Sequence, residues 1–331
     1  MLTDRPTGPS PATSDLHGPT LTVFRLAAGF TFLAVAMGAV VCATGSGAGC
    51  PTWPGCRPDA LAPVWQTAPV IEFTHRVVAI SAGPLVLAAA LLGLRLPGRD
   101  PWVRVLPWVA LAGAGAAGAF GRLVVLSGVP TWQGAVDLTS ALTAMTVMGI
   151  AAVRLAGVRS ADAGPRQPIT AGDGELVPVS RRHALQPVRL AGAAIVVLIG
   201  MQVAGLYTAG AGSFTRCMGW PLWQFVDGDR SPWLQVVRLA LAGVAAALVI
   251  GIVLLSVGHE RLRPWAAGLA LLLGSELALG LVIGGGGSSH ALRACYSVIA
   301  VALLWGLGLF TAAARAERLT ARPILAEPVT V

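Results

Sequence analysis

Three ionisable side chains fall within five positions of the segment EFTHRVVAI (72–80): Glu72, His75 and Arg76. A long apolar run follows them directly, so they lie at the mouth of a segment that is typical of a membrane span. A charged residue at the centre of such a helix costs about 2.5–3.5 kcal/mol on insertion scales. Ionisable residues in a span are therefore functional-site candidates, because helical bundles build cofactor and metal sites from inward-facing polar side chains.

Two further charged residues are predicted at a similar depth. Glu72 and His75 are three apart and share one helix face. At 1.5 Å per residue, Arg122 lies about 7 Å from the outer end of the third span, and Asp137 lies about 9 Å from the outer end of the fourth. The four groups predict an inward-facing pocket among three helices. The alternative is a structural polar cluster, with Arg122 and Asp137 as an ion pair that joins the helices.

The composition predicts the elements that position these residues. The chain has 331 residues, of which 55% are hydrophobic and only 11% are charged, and its mean hydropathy is +0.73. Soluble domains carry about 25% charged residues, and a span needs roughly 20 apolar residues. Eight such stretches are predicted, at about 22–43, 69–94, 104–127, 131–153, 190–208, 232–256, 264–284 and 290–313. The predicted fold class is therefore an all-α integral membrane protein that crosses the cell membrane several times.

The charge distribution predicts the orientation. The net charge of +8 comes from arginine alone, since the sequence contains no lysine. If the N-terminus is inside, 16 of the 23 basic residues lie at inward-facing ends and loops. This positive-inside pattern predicts that both termini are cytoplasmic. The basic charge then reflects topology, and no nucleic-acid partner is expected.

The two halves of the sequence repeat a pattern. The outer loops TGSGAGCPTWPGC (44–56) and TAGAGSFTRCMGWPLW (208–223) are alike, and each precedes a span with an X-Arg pair near its outer end, His75-Arg76 or Val237-Arg238. The last span of each half carries one unusual residue, Asp137 or Tyr296. The repeat predicts two pseudo-symmetric four-helix bundles in parallel orientation. A chance likeness between loops rich in glycine and proline is the alternative.

The predicted organisation follows from this repeat. Its segments are a cytoplasmic tail (1–21), a four-helix unit (22–153), a cytoplasmic linker (154–188), a second four-helix unit (189–314) and a cytoplasmic tail (315–331).

Five cysteines are too few for a disulfide scaffold. Cys50 and Cys56 share an outer loop, where the oxidising side of the membrane permits a bridge. Cys217 is expected to be free or to pair elsewhere. Cys42 and Cys295 are expected to pack as small hydrophobic residues.

The first outer loop, the EFTHRVVA motif and the short GRLVVLSG turn resemble the haem A synthase (CtaA-type) family, and the resemblance spans nearly the whole chain. It implies oxidation of a ring methyl of haem O towards the formyl of haem A, for terminal oxidase assembly. It also implies one haem-ligating histidine on each of helices 2, 4, 6 and 8. The N-terminal pair would hold the substrate haem, and the C-terminal pair would hold a b-type haem.

The resemblance carries over to some residues only. His75 matches the helix-2 ligand, Glu72 matches the functional glutamate, and Cys50 and Cys56 match a disulfide pair. The other three ligand positions hold residues of other types: Asp137 in helix 4, Val237 in helix 6 and Tyr296 in helix 8.

These departures put the second haem in doubt. Valine cannot ligate iron, so the C-terminal half is expected to have lost its two-histidine haem. Tyr296 can ligate as a phenolate or pack with a bonded hydroxyl. Five-coordinate haem on His75 alone stays open, since a single proximal histidine suffices in globins.

Other candidate residues have two interpretations each. Arg76 and Arg238 can meet haem propionates or extend to the membrane interface. Asp137 can bond a ligand or water, or pair with Arg122.

Three hypotheses follow for the function. The first is a haem A synthase-like oxidoreductase, and the second is a non-catalytic haem-binding or assembly partner. The third is a small-solute transporter. The expected partners are haem, membrane lipids, haem O synthase and terminal oxidase assembly factors.

Overall fold

The computed structural model describes residues 11–96, 100–127, 130–162, 181–208, 216–222, 232–287 and 289–320. Eight α-helices occupy these ranges, and no strand occurs within them. They are α1 Pro11–Ala43, α2 Thr67–Arg95, α3 Pro101–Ser127, α4 Thr131–Asp162, α5 Arg181–Thr208, α6 Pro232–Ser256, α7 Arg263–Gly284 and α8 His290–Thr320. Each contains a stretch long and apolar enough to cross a membrane, which confirms the predicted all-α membrane fold. Helices satisfy every backbone polar group internally, as hydrocarbon requires.

The predicted helix ends are accurate on the side of the 44–66 loop. Helices α1, α3, α5 and α7 end at the predicted residues, and α4, α6 and α8 begin at them. On the opposite side α1, α4, α5 and α8 are longer than their apolar runs. Hydropathy detects only the part of a helix that is suited to lipid, whereas a polar segment can continue the same helix into water.

The packing joins the two predicted units through α1, α4 and α8. Helices α1–α4 share one hydrophobic core, and a second core joins α5–α8 to one side of α1 and α4. Glycine permits the closest approach between α4 and α8, since a Cβ on Gly149 would lie only 2.7 Å from Nε1 of Trp305. Trp305 also stacks on Phe32 of α1, with ring centroids 4.6 Å apart. The division into two units stays a prediction.

Candidate functional site

A buried ion pair lies under the first outer loop. Nε of Arg76 donates to Oε1 of Glu72 at 2.8 Å, and the two residues are only 6% and 5% exposed. They are four apart on α2, so they share one helix face. The other guanidinium nitrogens donate to the loop carbonyls of Cys50 at 2.8 Å, Gly55 at 3.0 Å and Thr52. Arg76 therefore fastens the loop to α2 and lies below the protein surface.

The same loop carries the expected disulfide. Cys50 and Cys56 are bonded and buried, with their Cα atoms 4.2 Å apart. Arg122 of α3 reaches the loop from the other side, with its Cζ 5.3 Å from the ring centroid of Trp53. Arg76 and Arg122 thus contact adjacent residues of the loop, Thr52 and Trp53.

His75 faces α1. A Cβ on Gly38 would lie 3.3 Å from Cε1 of His75 and 3.7 Å from its Nε2, so the imidazole packs directly against this glycine. The backbone of Ala34, one turn away on α1, lies near the ring. Nδ1 is buried and has no hydrogen-bond partner among the described residues. A buried nitrogen without a partner is unusual in a folded protein and calls for an explanation.

Asp137 lies half-buried on α4. The alternative interpretation, in which it forms an ion pair with Arg122, is wrong. The ion pairs in the described part of the chain are Arg57–Asp59, Arg76–Glu72 and Arg154–Asp100. The structure therefore connects Glu72, Arg76 and Arg122 through the loop, and among the described residues it shows no ion pair between Asp137 and any of them.

Arg238 occupies the corresponding place in the second half. It is 1% exposed, and it donates from Nη2 to the carbonyl of Gly219 at 2.9 Å and from Nε to that of Met201 at 3.3 Å. Gly219 belongs to the outer loop between α5 and α6. Both X-Arg pairs thus supply an arginine that binds the backbone of the preceding loop, and this shared contact gives the sequence repeat a physical reason.

A second disulfide corrects the cysteine assignment. Cys42, at the outer end of α1, is bonded to Cys217, with 5.3 Å between their Cα atoms. The expectation that Cys42 packs as a small hydrophobic residue was wrong, and Cys217 does pair elsewhere. Cys295 is free and exposed. The Cys42–Cys217 bond joins the end of α1 to the loop between α5 and α6.

Tyr296 and Val237 have different surroundings. Tyr296 is 2% exposed, its ring lies against Gly219 and Gly280, and its hydroxyl donates to the carbonyl of Trp220 at 3.3 Å. Val237 is 46% exposed and faces away from the bundle. The positions that the resemblance predicts as ligands thus hold an outward-facing aliphatic side chain on α6 and a hydrogen-bonded phenol on α8.

Glu276 is a further buried carboxylate, and it is not among the site residues predicted from the sequence. It is the only acidic residue of α7 and is 1% exposed. It lines a cavity of about 790 Å³ among α6, α7, α8 and the loop residues Trp220–Leu222. A lone carboxylate in an apolar span was the available signal.

Comparison with known proteins supports the resemblance. A protein named Heme A synthase from Shouchella clausii (strain KSM-K16) is 27% identical over 280 residues, which cover 80% of this chain and 83% of that protein. Another Heme A synthase, from Symbiobacterium thermophilum, is 29% identical over 192 residues, which cover 57% and 59% of the two chains. A Protoheme IX farnesyltransferase from Haloarcula marismortui is 42% identical over 64 residues, 19% of this chain and 13% of that protein. No protein-family profile matches the chain.

The eight membrane-length helices define a multi-pass helical membrane protein, as predicted. The two longer matches support a relationship to the haem A synthase (CtaA-type) family.

Proposed function

We propose that this protein acts in haem A biosynthesis as a haem A synthase-like oxidoreductase that holds its substrate haem through His75. The relatives named Heme A synthase support an oxidoreductase of this kind. The observation that carries the assignment to His75 is its buried Nδ1, which has no partner among the described residues. An imidazole nitrogen with a free lone pair is the donor that haem iron takes as an axial ligand.

The described residues can supply one axial imidazole ligand to a haem in this region, but not two. Of the histidines whose side chains the structure describes, His259 lies between α6 and α7, and His290 is the first residue of α8. Neither is at the level of His75 inside a span. Asp137 supplies a carboxylate where the family resemblance implies a second histidine. A haem bound by this protein is therefore expected to be five-coordinate on the protein side.

The remaining residues have positioning roles in this proposal. The ion pair of Glu72 and Arg76 lies within one turn of His75 on α2, and it holds the disulfide-closed loop over the outer end of that helix. The loop then limits access of water to the imidazole from the outer side. Glu72 is the acidic group nearest in sequence to the proposed haem ligand, and it is our candidate for proton handling.

A non-catalytic haem-binding partner of a synthase is the second candidate function. Two placements favour it: Val237 points away from the bundle, and the Tyr296 hydroxyl is bonded to a backbone carbonyl. Neither arrangement supports a haem in the C-terminal half. The short match to a Protoheme IX farnesyltransferase supports haem O synthase as a neighbouring enzyme in either case.

A reduced-minus-oxidised difference spectrum of the purified full chain, recorded with and without added haem, tests the proposal. We expect a haem signal that is lost in His75→Ala and kept in the matched control His290→Ala, which alters an exposed histidine. Absence of any signal after haem addition contradicts the proposal. Expression in a strain that lacks haem A synthase separates the two candidates, because only the enzyme restores haem A.

A further inference from the structure

The Glu276 cavity contains polar groups that the fold leaves unused. Both carboxylate oxygens of Glu276 are buried and without a hydrogen-bond partner among the described residues. The backbone of Trp220 lies near the carboxylate but does not meet hydrogen-bond geometry. The indole Nε1 of Trp220, which is 4% exposed, is also buried and has no partner in the described part of the chain. Unsatisfied buried groups of this kind are costly, so their retention beside a cavity indicates a ligand.

The rest of the cavity wall is apolar. Leu222, Ala242 and Ala246 contribute hydrocarbon, and Gly280 leaves the floor beside the Tyr296 hydroxyl open. At about 790 Å³ the cavity falls in the range of about 300–1,000 Å³ that is usual for small-molecule sites. An apolar cavity with a few convergent polar groups is the common form of such a site.

The cavity is reached from the side of the bundle that faces lipid. Its lining includes Gly243, Leu277 and Leu281, all of them exposed, the two leucines to 48% and 79%. Glu276 lies eight residues before the outer end of α7, which places it about 12 Å below that end. A ligand that enters here must therefore dissolve in the membrane.

The roof of the cavity is firmly held. The loop that carries Trp220 is bonded to α1 through Cys42–Cys217. Gln202 of α5 donates to the carbonyl of Met218 at 2.6 Å, and Arg238 donates to that of Gly219 at 2.9 Å. Three helices thus fix the position of Trp220, so the wall of the cavity that this residue forms is held by specific contacts.

We propose that this cavity binds a membrane-soluble hydroquinone, with one ring hydroxyl donating to Glu276 and accepting from the indole N–H of Trp220. A hydroxyl is both donor and acceptor, so one group satisfies both unpartnered sites. An aromatic head is favoured by the neighbouring rings of Trp220 and Tyr296. An isoprenoid or alkyl tail leaves through the gap beside Gly243 and Leu281. Binding needs no electron transfer, and it is independent of haem at His75.

The ligand series separates this chemistry from simple apolar binding. The full-length protein in lipid nanodiscs is titrated with decylubiquinol, decylubiquinone and the dimethyl ether of decylubiquinol, and binding is read from the shift in thermal unfolding midpoint. We expect decylubiquinol to bind at least about tenfold more tightly than either analogue, because leaving a buried polar group without its hydrogen bond costs about this factor or more. Equal binding of the ether overturns the proposal, as does the absence of decylubiquinol binding.

Three variants locate the site. Glu276→Gln replaces the acceptor carboxylate by an amide that can donate, so it should lower the preference for quinol over quinone. Gly243→Leu should abolish binding by filling the entrance, and it should fold, since a Cβ on Gly243 meets nothing within 4 Å. Ser275→Ala is the matched control, because Ser275 neighbours Glu276 but does not line the cavity.

Each result has a clear meaning. Loss of binding in Gly243→Leu, with the Ser275→Ala variant unchanged, supports the proposal even if Glu276→Gln does not fold. Undiminished binding in Gly243→Leu overturns it. A haem spectrum in wild type that disappears in Gly243→Leu also overturns it, since the cavity is then a haem site.

Discussion

Replacement of Arg76 by methionine tests the contact on which the first outer loop depends. The change removes the partner of Glu72, a carboxylate that is only 5% exposed. An uncompensated buried charge of this kind costs about 3–5 kcal/mol. The carbonyls of Cys50, Thr52 and Gly55 lose their donor as well. We expect the free energy of unfolding to fall by at least the cost of the charge.

The assay is thermal unfolding in detergent, with hydrogen exchange of residues 44–66 as a local measurement. At about 2 °C per kcal/mol for a large chain, the expected loss lowers the midpoint by about 6–10 °C. The double variant Glu72→Gln/Arg76→Met removes the stranded charge and should recover part of this loss. It should not restore slow exchange in the loop, because the loop carbonyls still lack their donor.

Arg122→Met is the matched control. Arg122 is exposed and contacts the same loop only through the ring of Trp53. An exposed cation–π contact is worth about 0.5–1 kcal/mol, so the midpoint should move by about 2 °C or less. An Arg76→Met midpoint as close to wild type as that of Arg122→Met would refute the reasoning. So would a double variant no more stable than Arg76→Met, because the buried carboxylate would then not be the source of the loss.

Further predictions concern the covalent and packing contacts between the halves. Maleimide labelling of the denatured, unreduced protein should add one label, on Cys295, and labelling after reduction should add five. Mass spectrometry counts the labels. Three labels before reduction would show that one of the two disulfides is absent. Gly149→Ala should destabilise the protein by about 1–3 kcal/mol, as overpacking does, because its Cβ would lie 2.7 Å from Nε1 of Trp305. The control Gly115→Ala in α3, whose Cβ meets nothing within 4 Å, should unfold at or above the wild-type midpoint.

The helices could be predicted from the sequence because lipid imposes a single strong requirement. Each span must be apolar over about 20 residues, and the outer loops between the spans are rich in glycine and proline, so hydropathy locates the outer ends well. The opposite ends of α1 and α4 were placed inside the observed helices, at 22 instead of 11 and at 153 instead of 162, because those helices continue past the apolar run. The orientation of the termini stays a prediction.

The site was only partly predictable. The motif around Glu72 and His75 was visible as costly charges in a span, but the ion pair could not be read from residue types alone. Arg76 binds carbonyl oxygens, and every residue has one, so its partners leave no signal in the sequence. The Cys42–Cys217 bond likewise depends on how α1 packs against a loop far away in the chain.

The two X-Arg pairs of the sequence share one contact and differ in the residue before the arginine. Arg76 and Arg238 both bind loop backbone, and a backbone acceptor is available whatever the loop sequence becomes. A haem-ligand position tolerates few substitutions, because only a few side chains can donate to iron. The fastening of the loop is therefore present in both halves, whereas the side chain preceding each arginine is an inward-packed histidine in one half and an outward-facing Val237 in the other. Beside the second loop, Glu276 and Trp220 line a cavity, and both carry buried polar atoms without a hydrogen-bond partner among the described residues.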